Sequence, residues 1–127
     1  MAHPAEAFVG MVYDEQRFDC ADFVAHVRRE LHGHEVKLPN GRPRGEHGQV
    51  VLGELSKSYA HRTDTPADGD LVLMKRRAGV GHVGLFYRIG GEEWVLHSNE
   101  TNGASILHRV RELPLWGALI EGYYAWD

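Results

Sequence analysis

The chain has 127 residues, a formal net charge of -4, and hydrophobic and charged fractions of 43% and 25%. These values are typical of one globular domain, spanning 1–127, with a core of its own. The acidic balance gives no broad electrostatic reason to bind nucleic acid or an anionic membrane surface. The single cysteine excludes an internal disulfide framework and a multi-cysteine zinc site.

No targeting or membrane-spanning segment is visible in the sequence. The N-terminal residues lack a basic region followed by an apolar core, and no apolar run is long enough to cross a bilayer. The sequence therefore predicts a protein that is made in the cytoplasm without a classical signal peptide and that has no membrane partner.

An amphipathic helix is predicted to begin at the only cysteine. Apolar residues follow Cys20 at helical spacing, at positions 23, 24, 27 and 31. Asp19 is a favourable N-cap residue, and Gly33 is a suitable C-terminal cap. Cys20 is therefore expected in the first turn, where unpaired backbone N–H groups and the helix dipole favour a thiolate, the nucleophilic form of the side chain.

The remaining elements follow from changes of hydrophobic period. Short helices are predicted at 5–12 and 49–59, and a turn-rich irregular loop at 38–45. Apolar runs bounded by turn residues predict five strands, at 71–74, 82–87, 94–98, 104–110 and 120–126, with a hairpin at 90–91 and a break at 113–117. The basic cluster at 75–77 is expected to be a solvated strand end. This order predicts an α+β domain, with N-terminal helices packed on a C-terminal antiparallel sheet of about five strands.

A cysteine nucleophile needs a nearby base and a third group that orients the base. His82 opens a predicted strand and shares a face with Gly84, which leaves room beside the ring. His97 lies near the end of the next strand, and adjacent antiparallel strands place such side chains a few ångströms apart. One ring can then accept the proton of Cys20 while the other fixes its tautomer. Considered one at a time, these residues more often have structural roles. A lone cysteine is usually a small buried apolar residue, and histidines at these positions are usually polar groups at strand ends.

Four motifs occur in a fixed order along the chain. They are Phe-Asp-Cys-Ala-Asp at 18–22, Pro-Ala-Asp-Gly-Asp-Leu-Val at 66–72, Gly-His-Val-Gly-Leu-Phe-Tyr at 81–87 and Leu-His-Ser at 96–98. In this order the chain resembles the NlpC-type family of papain-like cysteine peptidases, which act on bacterial cell walls. The resemblance runs from about residue 10 to about residue 105, and it implies a papain-like core.

The resemblance implies a set of site residues. Cys20 would be the nucleophile, His82 the general base and His97 the polar third member. Tyr13 would contact substrate or the oxyanion, and Asp19 would meet an amine of the substrate; their structural alternatives are a core aromatic and the helix cap. The implied substrate is the peptide stem of peptidoglycan, often cut at the bond between γ-D-glutamate and a diamino acid, and no metal or organic cofactor is implied.

The sequence also departs from the family pattern. Ala21-Asp22 stands where the family has Ser-Gly, and the Trp-Gly-Gly of the approach loop is absent. The family serine often helps to bind a free peptide amine, so specificity for a trimmed stem peptide stays open.

Three other functions fit the same residues. The first is a related Cys/His amidase, deamidase or acyltransferase. The second is a non-catalytic phage tail module of the same fold. The third is a metal-binding protein that uses His82, His97, His108 and Asp70, although no close ligand spacing such as His-x-x-x-His supports it.

The absence of a signal peptide and of a wall-binding module is compatible with two settings for an enzyme that acts on the cell wall. One is a phage tail-associated hydrolase, with tail proteins as partners. The other is an effector exported by a contractile secretion system, with an immunity protein as partner.

Overall fold

The computed structural model describes residues 3–38, 59–76 and 81–127. They form one α-helix, two 3₁₀ helices and six strands. In chain order these are η1 (Pro4–Phe8), α1 (Cys20–His32), β1 (Ala60–Thr63), β2 (Leu71–Arg76), β3 (Gly81–Ile89), β4 (Glu92–Asn99), β5 (Ala104–Arg109), η2 (Val110–Trp116) and β6 (Ala118–Trp126). No helix in these ranges is both long enough and apolar enough to span a membrane.

The strands form one antiparallel sheet in the order β1-β6-β2-β3-β4-β5. Strands β2 to β5 make the predicted meander, and the last strand returns to lie between β1 and β2. The sheet therefore has six strands rather than about five, because the short edge strand β1 was not predicted. Its four residues, Ala-His-Arg-Thr, carry too little apolar alternation to indicate a strand.

Helix α1 is defined by the caps that the sequence predicts. Asp19 is the N-cap, with an extended backbone, and Asp22 closes a reciprocal capping box with it. Gly33 ends the helix at φ 63°, in the left-handed region that glycine adopts without a steric penalty. The predicted beginning and end of the helix are confirmed.

Two apolar clusters lie on opposite faces of the sheet. The first joins Phe23, Val24 and Val27 of α1 to strand residues that include Leu85 and Leu96, and α1 contacts β3 and β4. The second contains strand residues whose side chains alternate with those of the first cluster, among them Val72, Phe86 and Val95, together with Leu113 of η2.

Several predicted boundaries differ from the structure. The short helix predicted at 5–12 is the 3₁₀ helix Pro4–Phe8. The strand predicted at 104–110 ends at Arg109, and the predicted break at 113–117 lies mostly within η2, which contains Pro114. Of the helix predicted at 49–59, only Tyr59 is described, as a bend; the loop at 38–45 lies outside the described residues apart from Leu38.

Gly84 allows β3 and β4 to approach each other closely. A β-carbon at this position would lie 2.7 Å from Cγ1 of Val95 and 3.0 Å from both Cβ of His97 and the carbonyl oxygen of Leu96. The sequence predicts room beside the His82 ring, and the structure shows that the missing side chain makes room for the neighbouring strand at His97.

Gly84→Ala is therefore expected to lower the free energy of unfolding by about 1–3 kcal/mol, because the added methyl group overpacks a buried strand interface. Urea denaturation followed by circular dichroism measures the change. Gly122→Ala on β6 is the matched control, since its closest new contacts are 3.2 Å to the guanidinium of the exposed Arg62, which can move aside. Equal losses in the two variants would contradict the overpacking explanation.

Candidate active site

Cys20 occupies the first position of α1, as the sequence predicts. Its side chain is 1% exposed and belongs to the first apolar cluster. The sulfur thus lies at the positive end of the helix dipole in a site from which water is largely excluded, where electrostatic effects are stronger than in solution. Its role as a nucleophile stays a prediction.

The carboxylate of Asp19 fixes the helix start. Its Oδ1 accepts hydrogen bonds from the backbone N–H groups of Ala21 and Asp22, both at 3.1 Å, and the N–H of Asp19 donates to Oδ2 of Asp22 at 3.1 Å. Asp19 is also buried, at 2% exposure. The cap function is confirmed, whereas a contact between Asp19 and a substrate amine stays a prediction.

The loop that carries Tyr13 is anchored to one end of the sheet. The N–H of Tyr13 donates to the carbonyl oxygen of Gly103 at 2.9 Å, and the N–H of Ser105 donates to that of Met11 at 2.8 Å. The hydroxyl of Ser105 accepts from the N–H of Met11 at 2.8 Å and donates to the carbonyl oxygen of Phe8 at 2.6 Å. The chain that enters α1 is therefore tied to the end of the sheet where β4 ends and β5 begins. The side chain of Tyr13 is half-buried, and its contact with a substrate stays a prediction.

Three histidines on neighbouring strands form a hydrogen-bonded row. Nε2 of His82 on β3 lies 2.8 Å from Nδ1 of His97 on β4, and Nε2 of His97 lies 2.9 Å from Nδ1 of His108 on β5. All three are at most 5% exposed. The proximity of His82 and His97 was predicted. The third member, His108, was named in the sequence only as a metal-site alternative.

The strand register explains why the rings meet. His97 pairs with Ile106 and Val95 pairs with His108, so His108 lies diagonally across from His97 and on the same face of the sheet. His82 is likewise two residues from Gly84, whose missing β-carbon faces His97. Each hydrogen bond of the row therefore spans a diagonal between adjacent strands.

The row lies on the face of the sheet that carries the second apolar cluster. His82 and Gly84 alternate with Val83, which belongs to the first cluster with Cys20. His82 is the second residue of β3, so its ring lies at the end of the sheet to which the chain entering α1 is anchored. Nδ1 of His82 is buried and forms no hydrogen bond with any residue that the structure describes.

Burial keeps the row uncharged near neutral pH. Desolvation lowers the pKa of His82 well below its usual 6.5, and electrostatic interaction with His97 and with the positively charged Arg76 lowers it further. Desolvation, with His108 and Arg76, lowers the pKa of His97 to about 3. Desolvation also lowers the pKa of His108, which Glu112 partly opposes.

A small cavity of about 40 Å³ adjoins the far end of the row. His97, His108 and Arg76 contribute to its wall, and the ring of Trp116 stacks on His108 with centroids 5.0 Å apart. The Arg76 side chain is only 15% exposed and forms an ion pair with Glu100 at 2.7 Å. The expectation of a fully solvated basic strand end is therefore wrong at Arg76; residue 77 lies outside the described ranges.

The same histidines do not form a metal site in the described part of the chain, where no group of three or more His, Cys, Asp or Glu side chains could hold a metal ion. The ring nitrogens of His97 face its two neighbours rather than a common point. Asp70, the fourth residue of that alternative, accepts a hydrogen bond from the N–H of Ala67 in the turn before β2.

Comparison with protein families finds a match between residues 8–116 and the model of the NlpC/P60 family. The matched region begins before the loop that carries Tyr13 and extends through η2, so it includes Cys20 and all three histidines. Comparison with curated proteins finds no match to the chain.

The buried histidines are expected to make the fold sensitive to mild acid. Below pH 6.5 the unfolded chain takes up protons that the folded rings do not, so the free energy of unfolding falls as the pH falls. His82 and His97 together are expected to remove about 3 kcal/mol between pH 6.5 and about pH 5, a window above the usual pKa range of Asp and Glu. Urea denaturation at a series of pH values measures the change.

The variants His97→Gln and His61→Gln separate the buried ring from an exposed one. His61 on β1 is 67% exposed, so its replacement is expected to leave the pH dependence as it is. Replacement of His97 is expected to flatten the curve. If the free energy of unfolding of the wild-type protein stays constant between pH 6.5 and about pH 5, the histidines are not buried in their neutral form.

Proposed function

The chain belongs to the NlpC/P60 family, and on that premise we propose that it is a cysteine peptidase that hydrolyses an amide bond in the peptide stem of bacterial peptidoglycan. One observation carries the assignment of the machinery: the hydrogen bond to His97 occupies Nε2 of His82 and leaves its Nδ1 without a described partner, at the end of the sheet to which the chain entering α1 is anchored. Family membership supports a hydrolase; the cysteine mechanism and the bond cleaved are our proposals.

The proposed architecture is papain-like. In it, the helix that begins with the nucleophile packs against the sheet that carries the base. The contacts of α1 with β3 and β4 support this arrangement, and so does the apolar cluster that contains both Cys20 and Val83, the residue after His82.

The proposed reaction is acyl transfer. The sulfur of Cys20 attacks the carbonyl carbon of the amide while its proton passes to Nδ1 of His82. The lowered pKa of His82 keeps the ring in the neutral form that accepts a proton. The same shift disfavours a resting thiolate–imidazolium pair, so proton transfer accompanies the attack. Protonated His82 then gives the proton to the leaving amine, and water releases the acyl group from the sulfur.

The helix start supplies a donor for the oxyanion. The capping box uses the N–H groups of Ala21 and Asp22, which accordingly point at Asp19 rather than at a substrate. We assign the oxyanion contact to the N–H of Cys20 because it lies at the positive end of the helix dipole.

The proposed bond is that between γ-D-glutamate and a diamino acid. Tyr13 and Asp19 both precede the nucleophile in the sequence. They are the proposed substrate contacts, Tyr13 through its phenol and Asp19 through its carboxylate, which would meet an amine of the stem. Because Asp19 is already committed to the helix cap, its contribution to an amine is through charge, which acts over a longer range than a hydrogen bond.

Cys20→Ala is expected to fold normally and to release no wall peptides, with a loss of at least about a thousandfold in rate, because the acyl-enzyme can no longer form. Digestion of purified peptidoglycan followed by mass spectrometry of the soluble products measures activity and identifies the bond in one experiment. His61→Ala, at the opposite edge of the sheet, is the control for purification and folding.

The outcomes of this digestion separate the remaining functions. Products ending in γ-D-glutamate support the proposed bond, whereas products cut elsewhere assign a related amidase or endopeptidase. Activity that persists in Cys20→Ala contradicts the nucleophile assignment. An inactive wild-type chain that is folded would favour the non-catalytic module.

His82→Ala is expected to lower kcat/KM by about a hundredfold or more, since a positioned general base contributes on the order of 10²–10⁴ in rate. The alanine removes both the acceptor for the thiol proton and the donor to the leaving amine. The measurement is the initial rate of peptide release at several substrate concentrations. A loss of only a few fold would mean that another group takes the proton from Cys20.

A further inference from the structure

We propose that His108 is a positioning residue that sets the proton arrangement of the row and thereby makes His82 a base. The effect on catalysis rests on the proposed function, whereas the proton arrangement rests on the hydrogen bonds of the row. It assigns a role to a fourth residue, beyond the cysteine and the two histidines of the proposed machinery.

A row of neutral imidazoles allows only two complete proton arrangements. Each neutral ring has one N–H donor and one acceptor nitrogen. If Nε2 of His82 donates to His97, then Nε2 of His97 must donate to His108, and Nε2 of His108 carries the last proton. If the direction is reversed, all three protons lie on Nδ1, and Nδ1 of His82 can no longer accept a proton from a thiol.

The environment at the two ends favours the first arrangement. In the reversed one, the N–H of His82 Nδ1 would be buried without an acceptor among the described residues, and orphaned buried N–H groups are costly. In the first one, the N–H at Nε2 of His108 is likewise buried without a described acceptor, but His108 contributes to the wall of the cavity of about 40 Å³, which is large enough for a hydrogen-bonding solvent molecule.

The surroundings of His108 hold the ring in the orientation that the row requires. Trp116 of η2 stacks on it with an interplanar angle of 21°, and the imidazole is 5% exposed. Nδ1 of His108 is thereby directed at Nε2 of His97, at 2.9 Å. His108 would act through His97 on the tautomer of His82, without contact with the substrate.

The tautomers can be read directly by long-range ¹H–¹⁵N correlation NMR of the labelled full chain at neutral pH. The expected result for the wild-type protein is Nε2–H on His82, His97 and His108. A wild-type His82 with its proton on Nδ1 would overturn the proposal, whether or not the chain hydrolyses peptidoglycan.

Two substitutions test the dependence on His108. His108→Phe keeps a flat ring against Trp116 but removes the acceptor for His97, whereas His108→Asn keeps an acceptor oxygen near the position of Nδ1. His108→Phe is expected to shift His82 and His97 towards mixed tautomers and to lower kcat on the order of tenfold with little change in KM. His108→Asn is expected to restore the Nε2–H form of both rings and most of kcat. His61→Asn, which alters an exposed histidine on β1, is expected to change neither readout.

The two readouts keep this proposal separate from the function proposed above. Unchanged tautomers in His108→Phe overturn the positioning role, even if kcat falls for another reason. Shifted tautomers with an unchanged kcat overturn the catalytic consequence. Shifted tautomers in a chain whose wild type releases no wall peptides support the row and contradict the peptidase. If His108→Phe does not fold, the wild-type tautomers and the His108→Asn variant decide the question.

Discussion

The candidate site depends on the hydrogen bond between Nε2 of His82 and Nδ1 of His97, at 2.8 Å. Adjacent strands hold diagonal side chains too far apart for most polar groups to meet directly. The absence of a side chain at Gly84 lets Val95 and His97 approach the β3 backbone, and two imidazoles are long enough to span the remaining distance. The same spacing is repeated between His97 and His108, so the row crosses three strands in two equivalent steps.

Burial determines the protonation state of this row and also its expected sensitivity to acid. A neutral imidazole such as His97, which is hydrogen-bonded at both nitrogens, costs little free energy to bury, while a protonated one costs much more. Arg76, held by Glu100 beside the row, adds a positive charge that opposes protonation further. The rings are thus kept neutral at neutral pH, and the fold is expected to lose stability in mild acid.

Local signals in the sequence were sufficient for the elements that carry the site. Asp19 begins the helix and Gly33 ends it, because a cap is decided by two or three neighbouring residues. Strands β2 to β5 follow one another in the chain with only a few residues between them, so their order was predictable.

What the sequence did not predict depends on distant contacts or on register. Strand β1 pairs with β6 from about half the chain away, and its residues alone do not indicate a strand. His108 joins the row only because β5 pairs with β4 in one register, and the turn between Asn99 and Ala104 could have supported others. A shift of one residue would have turned His108 to the opposite face of the sheet. The third ring was therefore visible in the sequence as a histidine on a strand, but its partner was not.

Cys20 and the histidine row lie on different faces of the sheet, so the proposed contact between them depends on the end of the sheet. Cys20 packs with α1 and Val83, whereas His82 points towards the second cluster. The loop before α1 connects the two faces, because its backbone is hydrogen-bonded to Gly103 and Ser105 at the strand end. The hydroxyl of Ser105 binds this loop at both Met11 and Phe8, so it fixes where the helix begins relative to the start of β3. The contact that we propose between the Cys20 thiol and the His82 imidazole thus depends on the anchoring of the chain that enters α1.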